Sequence, residues 1–402
     1  MAPTATALSR PQSPAAAAAI APLLIVLVAI ETGVTFFGTL VPQIQQEFGV
    51  SAGTVALALS VYHAVRLVIN VPAGRLIARS PLARMLGAGG AVLAVGAVLA
   101  ALAPVFPAVL AGRVLMGAGS AVFFITTQFW ISKVATPQTK ARLFSYNQLA
   151  ALTGSALGPA LGGAVAGLLS WRYAMAITAV VGALAFLGAG ALSDPSSRNS
   201  AGETSTPGAT DRLHVGLVLG PGMIMMALFF FHGGVLSTLL PLLAARRFGL
   251  GPAGIGGILM LGTVWRAGAA LVGGWLATWL GTRRVVTMSL ALMAVTILGL
   301  HLADSTLGLV VVVSVMSWVN VGGSLVTALV TDLVPEAHWG TALGVNRTLA
   351  DVGAMIAPLL VGFAIDRWDF SAAISLVAAF LFAVAVAATT LISPRHLHAA
   401  RT

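Results

Sequence analysis

Apolar residues in this chain come in long uninterrupted runs. Twelve runs are long enough to cross a bilayer, which takes ~20 apolar residues: 20–41, 52–74, 83–103, 107–131, 143–168, 173–192, 214–240, 253–276, 285–303, 306–330, 341–364 and 371–393. The longest polar interruption, SDPSSRNSAGETSTPGATDR at 193–212, is rich in Ser, Thr, Pro and Gly and predicts a linker. The expected organisation is a disordered tail over 1–19, a six-helix bundle over 20–192, the linker over 193–212, a second six-helix bundle over 213–393 and a short tail over 394–402. The fold class is all-α, with twelve transmembrane helices in two pseudo-symmetric bundles.

Composition agrees with a membrane protein. Of 402 residues, 58% are hydrophobic and 8% charged, and the mean hydropathy is +0.99; soluble domains carry about 25% charged residues. The absence of cysteine excludes disulfides, thiolate metal sites and cysteine nucleophiles. The net charge of +10 comes from short loops between apolar runs, so it does not signal nucleic acid. With the N-terminus placed in the cytoplasm, thirteen Lys and Arg fall on the cytoplasmic side, among them Arg75, Arg79, Arg84, Lys133, Arg283 and Arg284. Four fall opposite: Arg172, Arg246, Arg247 and Arg367. The positive-inside rule then puts both termini in the cytoplasm of a multi-pass protein of the inner (plasma) membrane. The first nineteen residues with the run after them imitate a secretory signal, but that run spans and more follow.

The two halves repeat. At an offset of 200, Phe48 falls on Phe248, Arg66 on Arg266, Gly74 on Gly274 and Leu76 on Leu276; at 199, Asn147 falls on Asn346, Pro159 on Pro358 and Gly163 on Gly362. Parallel six-span repeats place a transporter's substrate site at the repeat interface.

Three motifs carry a resemblance. The loop after the second run reads GRLIARSPLAR, with Gly74, Leu76 and Arg79, and recurs as GGWLATWLGTRR, with Gly274, Leu276, Gly281 and Arg283. The fourth run holds GRVLMGAGSA, with Arg113, Gly117 and Gly119. The fifth holds GSALGPALGGAVAG, with Gly154, Gly158, Pro159, Gly162 and Gly163. With twelve spans and a central linker, the sequence resembles the major facilitator superfamily, and the fifth-span motif resembles its twelve-span drug:proton antiporter branch. The resemblance implies gating by the loop motif, whose acidic positions are here Ala78 and Thr278, and a proton-coupling role for Arg113. Physically, Gly154, Gly158 and Gly162 share one helix face and admit a close neighbour. Pro159 kinks the helix, and the expected neighbour is the eighth span.

Charges inside the membrane need a reason, since each costs at least ~2.5 kcal/mol at the bilayer centre. Glu31 and Asp351 are the two carboxylates well inside runs. Glu31 has no opposite charge near it in sequence and is the first candidate for the proton site. Asp351, the second candidate for proton coupling after Glu31 and its modulator Arg113, lies one turn after Arg347, which predicts an intrahelical pair. Arg66, Arg266, Arg347, His63, His232, Asn147 and Asn346 are the candidate cavity residues. His63 and His232 read as interhelical polar groups more than as proton relays. Four arginines against two carboxylates hint at an anionic or zwitterionic substrate.

The reading is a secondary active transporter exporting a small organic molecule in exchange for protons. The alternatives are a proton-coupled importer of a metabolite, which the fifth-span motif opposes, and a non-transporting membrane sensor or scaffold. No catalytic constellation or nucleotide or metal site is visible in the sequence, so no enzyme activity or cofactor is expected. The expected partners are the substrate, protons and lipid, with a monomeric chain.

Overall fold

A computed structural model describes residues 14–77, 79–135, 139–192, 215–334 and 338–391. The expected linker over 193–212, the outermost tails and Ala78 of the loop motif lie outside the described residues. Every regular element described is helical. Eleven helices among the described residues are long and apolar enough to cross a membrane.

The first half of the chain forms α1 (Pro14–Thr35), α2 (Phe37–Phe48), α3 (Ala52–Ile77), α4 (Leu82–Ala101), α5 (Phe106–Val134), α6 (Lys140–Leu168) and α7 (Trp171–Ala189). The second half forms α8 (Val215–Phe231), α9 (Leu240–Phe248), α10 (Pro252–Leu280), α11 (Thr282–Ile297), α12 (Thr306–Trp318), α13 (Val326–Leu333), α14 (Trp339–Arg367) and α15 (Phe370–Leu391). A π-helix over His232–Leu239 joins α8 to α9.

The first run is a bent span made of α1 and α2. Thr32 and Thr35 turn their hydroxyls back onto the carbonyls of Val28 and Glu31, at 2.7 and 2.8 Å; such back-bonding bends helices, and the break falls at Phe36. The expected continuous span over 306–330 is corrected. It divides into α12, a 3-10 turn over Asn320–Leu325 and α13. Gly322 sits where a side chain would collide with Val286 and Ser289. The Ser289 hydroxyl donates to Val319 O at 2.7 Å and accepts from Gly322 N at 3.1 Å, which satisfies backbone groups that the break releases.

Within the first half, α4 packs on α5 and α7, α1 on α6, and α3 on α5; within the second, α14 packs on α8, α11 on α15, and α10 on α12. Two large contacts cross between the halves, α3 with α14 and α6 with α10. The fifth-span glycines divide between these roles. Side chains at Gly154, Gly158 and Gly162 would strike Val28, Thr32, Thr35 and Phe36 of the first span, so that face seats α1 within its own half. This corrects the expectation that the face meets the eighth span. Gly163 and Gly167 do meet it, at Pro252, Ala253 and Gly256. The mirrored contact is Gly362 of α14 on Ala52, Gly53 and Ala56 of α3. Glycine on glycine lets backbones approach where lipid gives no hydrophobic drive.

The loop motif is open. A side chain at Gly74 or Gly274 would meet nothing within 4 Å. Gly281 has φ +83°, a region that glycine enters freely. Arg283 donates to Thr389 O at 2.8 Å, tying α11 to α15, and the Thr278 hydroxyl bonds its own helix at Trp275 O.

Candidate functional site

A cavity of about 200 Å³ lies between the halves. Its walls come from both: Glu31 and Thr35 of α1, Tyr62, His63 and Arg66 of α3, Arg113 and Phe124 of α5, Phe229 of α8, His232 and Ser237 of the π-helix, and Arg347 of α14. Pro159 and Pro358, the paired kink residues of α6 and α14, also line it.

One end is sealed. Gly163 and Gly256 bring α6 onto α10, and a side chain at Gly38 would meet Ser237. Asp366 at the end of α14 accepts from Ala52 N at 2.8 Å and Gly53 N at 2.6 Å, the first amides of α3. A carboxylate on unpaired helix-terminal amides is a charge-assisted cap. Nearby, Arg172 donates to Glu47 at 2.6 Å and to the carbonyls of Ala101 and Ala103 at 2.7 and 2.9 Å, and the Trp171 indole donates to Glu47. That cluster fastens α2, α4 and α7 together at the same end.

Glu31 sits on the wall where Gly154 presses against its Cβ and the amide of Thr32. The glycine face of α6 therefore positions the segment carrying this carboxylate. Among the described residues the Glu31 carboxylate has no hydrogen bond or ion pair. Arg66 and Arg347 line the same cavity as Glu31. Arg113, expected as the modulator of Glu31, lines the same cavity and is held by its own contacts. Its guanidinium lies between two rings, 4.2 Å from the Phe37 centroid and 4.4 Å from that of Tyr62, and Nε donates to Ala58 O at 3.0 Å. Desolvated cation–π contacts are worth about 2 kcal/mol, and with the Ala58 bond they fix this guanidinium between the rings. Gly117 makes the arrangement possible, since a side chain there would strike Tyr62 O.

Tyr62 is the hub that the sequence reading missed. Its hydroxyl pairs with Ser120 Oγ at 2.7 Å and accepts from Arg66 Nη1 at 3.1 Å. It stands one helical turn before Arg66 on α3, a spacing that could have flagged it. Position 262, its counterpart in the second half, is glycine. Arg266 thus lacks the hydroxyl that draws Arg66 inward, and it lies outside the cavity lining.

Three other candidates are also off the wall. Asn147 and Asn346 are buried at 2% and 4% exposure behind it, each with an unpartnered Oδ1. Asp351 is fully buried. The predicted pair forms, with Arg347 Nη2 3.7 Å from Asp351 Oδ1. Asn70 of α3 donates to Asp351 Oδ2 at 3.2 Å, a bond across the halves that sequence spacing could not reveal. His63 and His232 do line the cavity; the ring of His63 stands edge-on to Tyr62 at 5.1 Å.

Comparison with known proteins gives a consistent family. The sequence model of the Major Facilitator Superfamily matches residues 23–328 and 223–401. A curated relative, the multidrug efflux pump LfrA of Mycolicibacterium smegmatis, is 34% identical over 156 residues. That match covers 39% of this chain and 31% of the relative. Among solved structures, a bacterial homologue of the human lysosomal transporter Spinster, in an inward-facing unoccupied conformation, superposes with TM-score 0.73 at 14% identity, covering 97% of this chain and 98% of that one. A peptide transporter, POT, in complex with sulfate superposes with TM-score 0.74 at 15% identity, covering 94% of each chain. These likenesses at low identity speak to fold. The family match over nearly the whole length shows that the chain, a multi-pass membrane protein, belongs to the Major Facilitator Superfamily.

Proposed function

We propose that the chain exports a small organic molecule in exchange for protons, with Glu31 as the proton site. The observation that carries this reading is a carboxylate on the wall of an inter-half cavity, free of hydrogen bonds and ion pairs among the described residues, with Arg66 and Arg347 on the same lining. A group that gains or loses a proton as the cavity opens to either side needs no fixed partner to be broken first. Export is favoured by the glycine motif of α6 and by likeness to an efflux pump. In this reading both termini face the cytoplasm of the inner membrane, the chain acts as a monomer, and its two six-helix units, 20–192 and 213–393, rock about the cavity. The sealed end is then the outer one.

Arg113 acts here as a positioning residue, holding Phe37 and Tyr62 around the cavity. Asp351 stabilises Arg347 and joins α14 to α3. The test is flux in proteoliposomes with and without an imposed pH gradient, using candidate exported compounds first found by thermal stabilisation of the purified protein. Substrate movement against an opposing proton flow supports exchange. Co-directional movement of proton and substrate overturns it in favour of import, and a chain that moves no stabilising compound under either condition overturns transport by this site.

A further inference from the structure

Two guanidiniums from opposite halves rest against one ring. Arg66 Cζ lies 5.8 Å from the Phe124 centroid and Arg347 Cζ 5.5 Å from it; Arg347 is also 5.6 Å from that of Phe229. All four side chains line the cavity. Two like charges on one cavity wall repel, and their own contacts are incomplete. Arg66 has Nη1 on the Tyr62 hydroxyl and a buried Nε with no partner. Arg347 is 3.7 Å from Asp351 and 41% exposed. Two guanidiniums facing a common space form a fork suited to a carboxylate or similar anion. Glu31, on the same wall, is suited to the opposite charge.

We infer that the substrate is a zwitterion with an aromatic or apolar body, its anionic group held between Arg66 and Arg347 over Phe124 and its ammonium at Glu31. The inference rests on the exchange reading above. An anion alone would favour proton binding at Glu31, so the two would travel together. A cation alone would displace the proton but would face Arg66, Arg113 and Arg347 against one lining carboxylate. A substrate with both charges answers the arginines and still expels the proton: the O–H bond of the Glu31 carboxylic acid breaks, the proton passes to water, and the ammonium takes its place. One anion on both arginines also ties α3 to α14, so binding draws the halves together.

The experiment uses the purified full chain in detergent micelles. The probes are phenylalanine, tyrosine and tryptophan, each as the free amino acid, the methyl ester and the N-acetyl derivative. Thermal stabilisation reads binding, and a pH indicator in weak buffer reads proton release. The free form of at least one scaffold should bind about tenfold to hundredfold tighter than either derivative, as expected for loss of a charge-assisted contact. It should release a proton in the wild type but not in Glu31→Gln. Arg66→Gln should abolish the preference for a free carboxylate, and Arg66→Lys should keep part of it. Tighter binding of an ester with proton release overturns the zwitterion and leaves exchange standing. Tighter binding of an N-acetyl form with proton uptake overturns both. No stabilisation by any form overturns the inference, and the flux measurement decides exchange separately.

Discussion

The carboxylate of Asp366, at the last turn of α14, accepts the amide of Gly53 at 2.6 Å in the first turn of α3. The two residues are 313 positions apart and belong to opposite halves. The mirrored position on α6 is Gly167, which merely packs on Ala253. One inter-half contact at the sealed end is therefore a charged latch and the other a smooth glycine surface. Asp366→Asn should keep one hydrogen bond and lose the charge, weakening the closed arrangement by about 1 kcal/mol, and Asp366→Ala should weaken it further. Because the chain has no cysteine, spin labels placed at the exposed positions Tyr173 and Leu307 report the separation of the halves at this end. Longer distances are expected in the order wild type, Asn, Ala. Equal distributions in all three would show that the cap does not hold the end shut.

Glu31→Gln should insert and fold, bind substrate more weakly for want of the charge, and lose pH-driven efflux even at saturating substrate. Glutamine keeps the shape and cannot take part in proton exchange. The check is counterflow, which needs no proton, measured beside efflux under a pH gradient. Wild-type gradient-driven efflux in the variant would remove Glu31 from the mechanism.

Arg113 is held by ring stacking and one directed hydrogen bond, so geometry matters more than charge. Arg113→Lys should lower the thermal midpoint nearly as much as Arg113→Met, with a loss on the order of 2 kcal/mol in each. A lysine variant that melts like the wild type would indicate that the charge alone is needed.

The glycines of α6 should separate by consequence. Gly158→Ala collides with Thr35 and Thr32 of α1 inside one half, which should cost about 1–3 kcal/mol without moving the labels at Tyr173 and Leu307. Gly163→Ala collides with Pro252 and Gly256 across the halves and should lengthen that label distance. A Gly158→Ala chain with longer distances, or a Gly163→Ala chain with unchanged ones, would reverse these assignments.

Residue chemistry made much of this legible. Runs of apolar residues give spanning helices because lipid forces backbone groups to pair locally, and a charge inside such a run marks a cavity or a pair, as Glu31, Arg66 and Arg347 do. The partners of a glycine face are not legible in the same way. Gly158 and Gly163 are five residues apart on one helix, yet they face α1 and α10 respectively. Small-residue spacing says that something approaches and not what. Arg266 looked equivalent to Arg66 by offset, but the difference lies at Tyr62 and position 262, one turn away. Asn70 and Asp366 act across 281 and 313 positions, and no local pattern encodes such partners.

The π-helix of the seventh run marks a difference in length between the two halves. Gly154 abuts Val28 O and Thr32 N, and Gly353 abuts Met226 O and Phe230 N, which puts Thr32 and Phe230 in register. Further on, Gly49 and Gly249 end their spans in the same left-handed conformation. From Thr32 to Gly49 is 17 steps, and from Phe230 to Gly249 is 19. The second run is two residues longer over this interval, and His232–Leu239 falls inside it. In an unbroken α-helix each extra residue would swing everything beyond it by about 100°. The wider turns take in extra residues while the helix continues, and Leu240 and Leu243 stay in the core. The two halves thus differ in length within a buried helix without losing either end's packing, and the difference lies on the wall of the cavity beside His232 and Ser237.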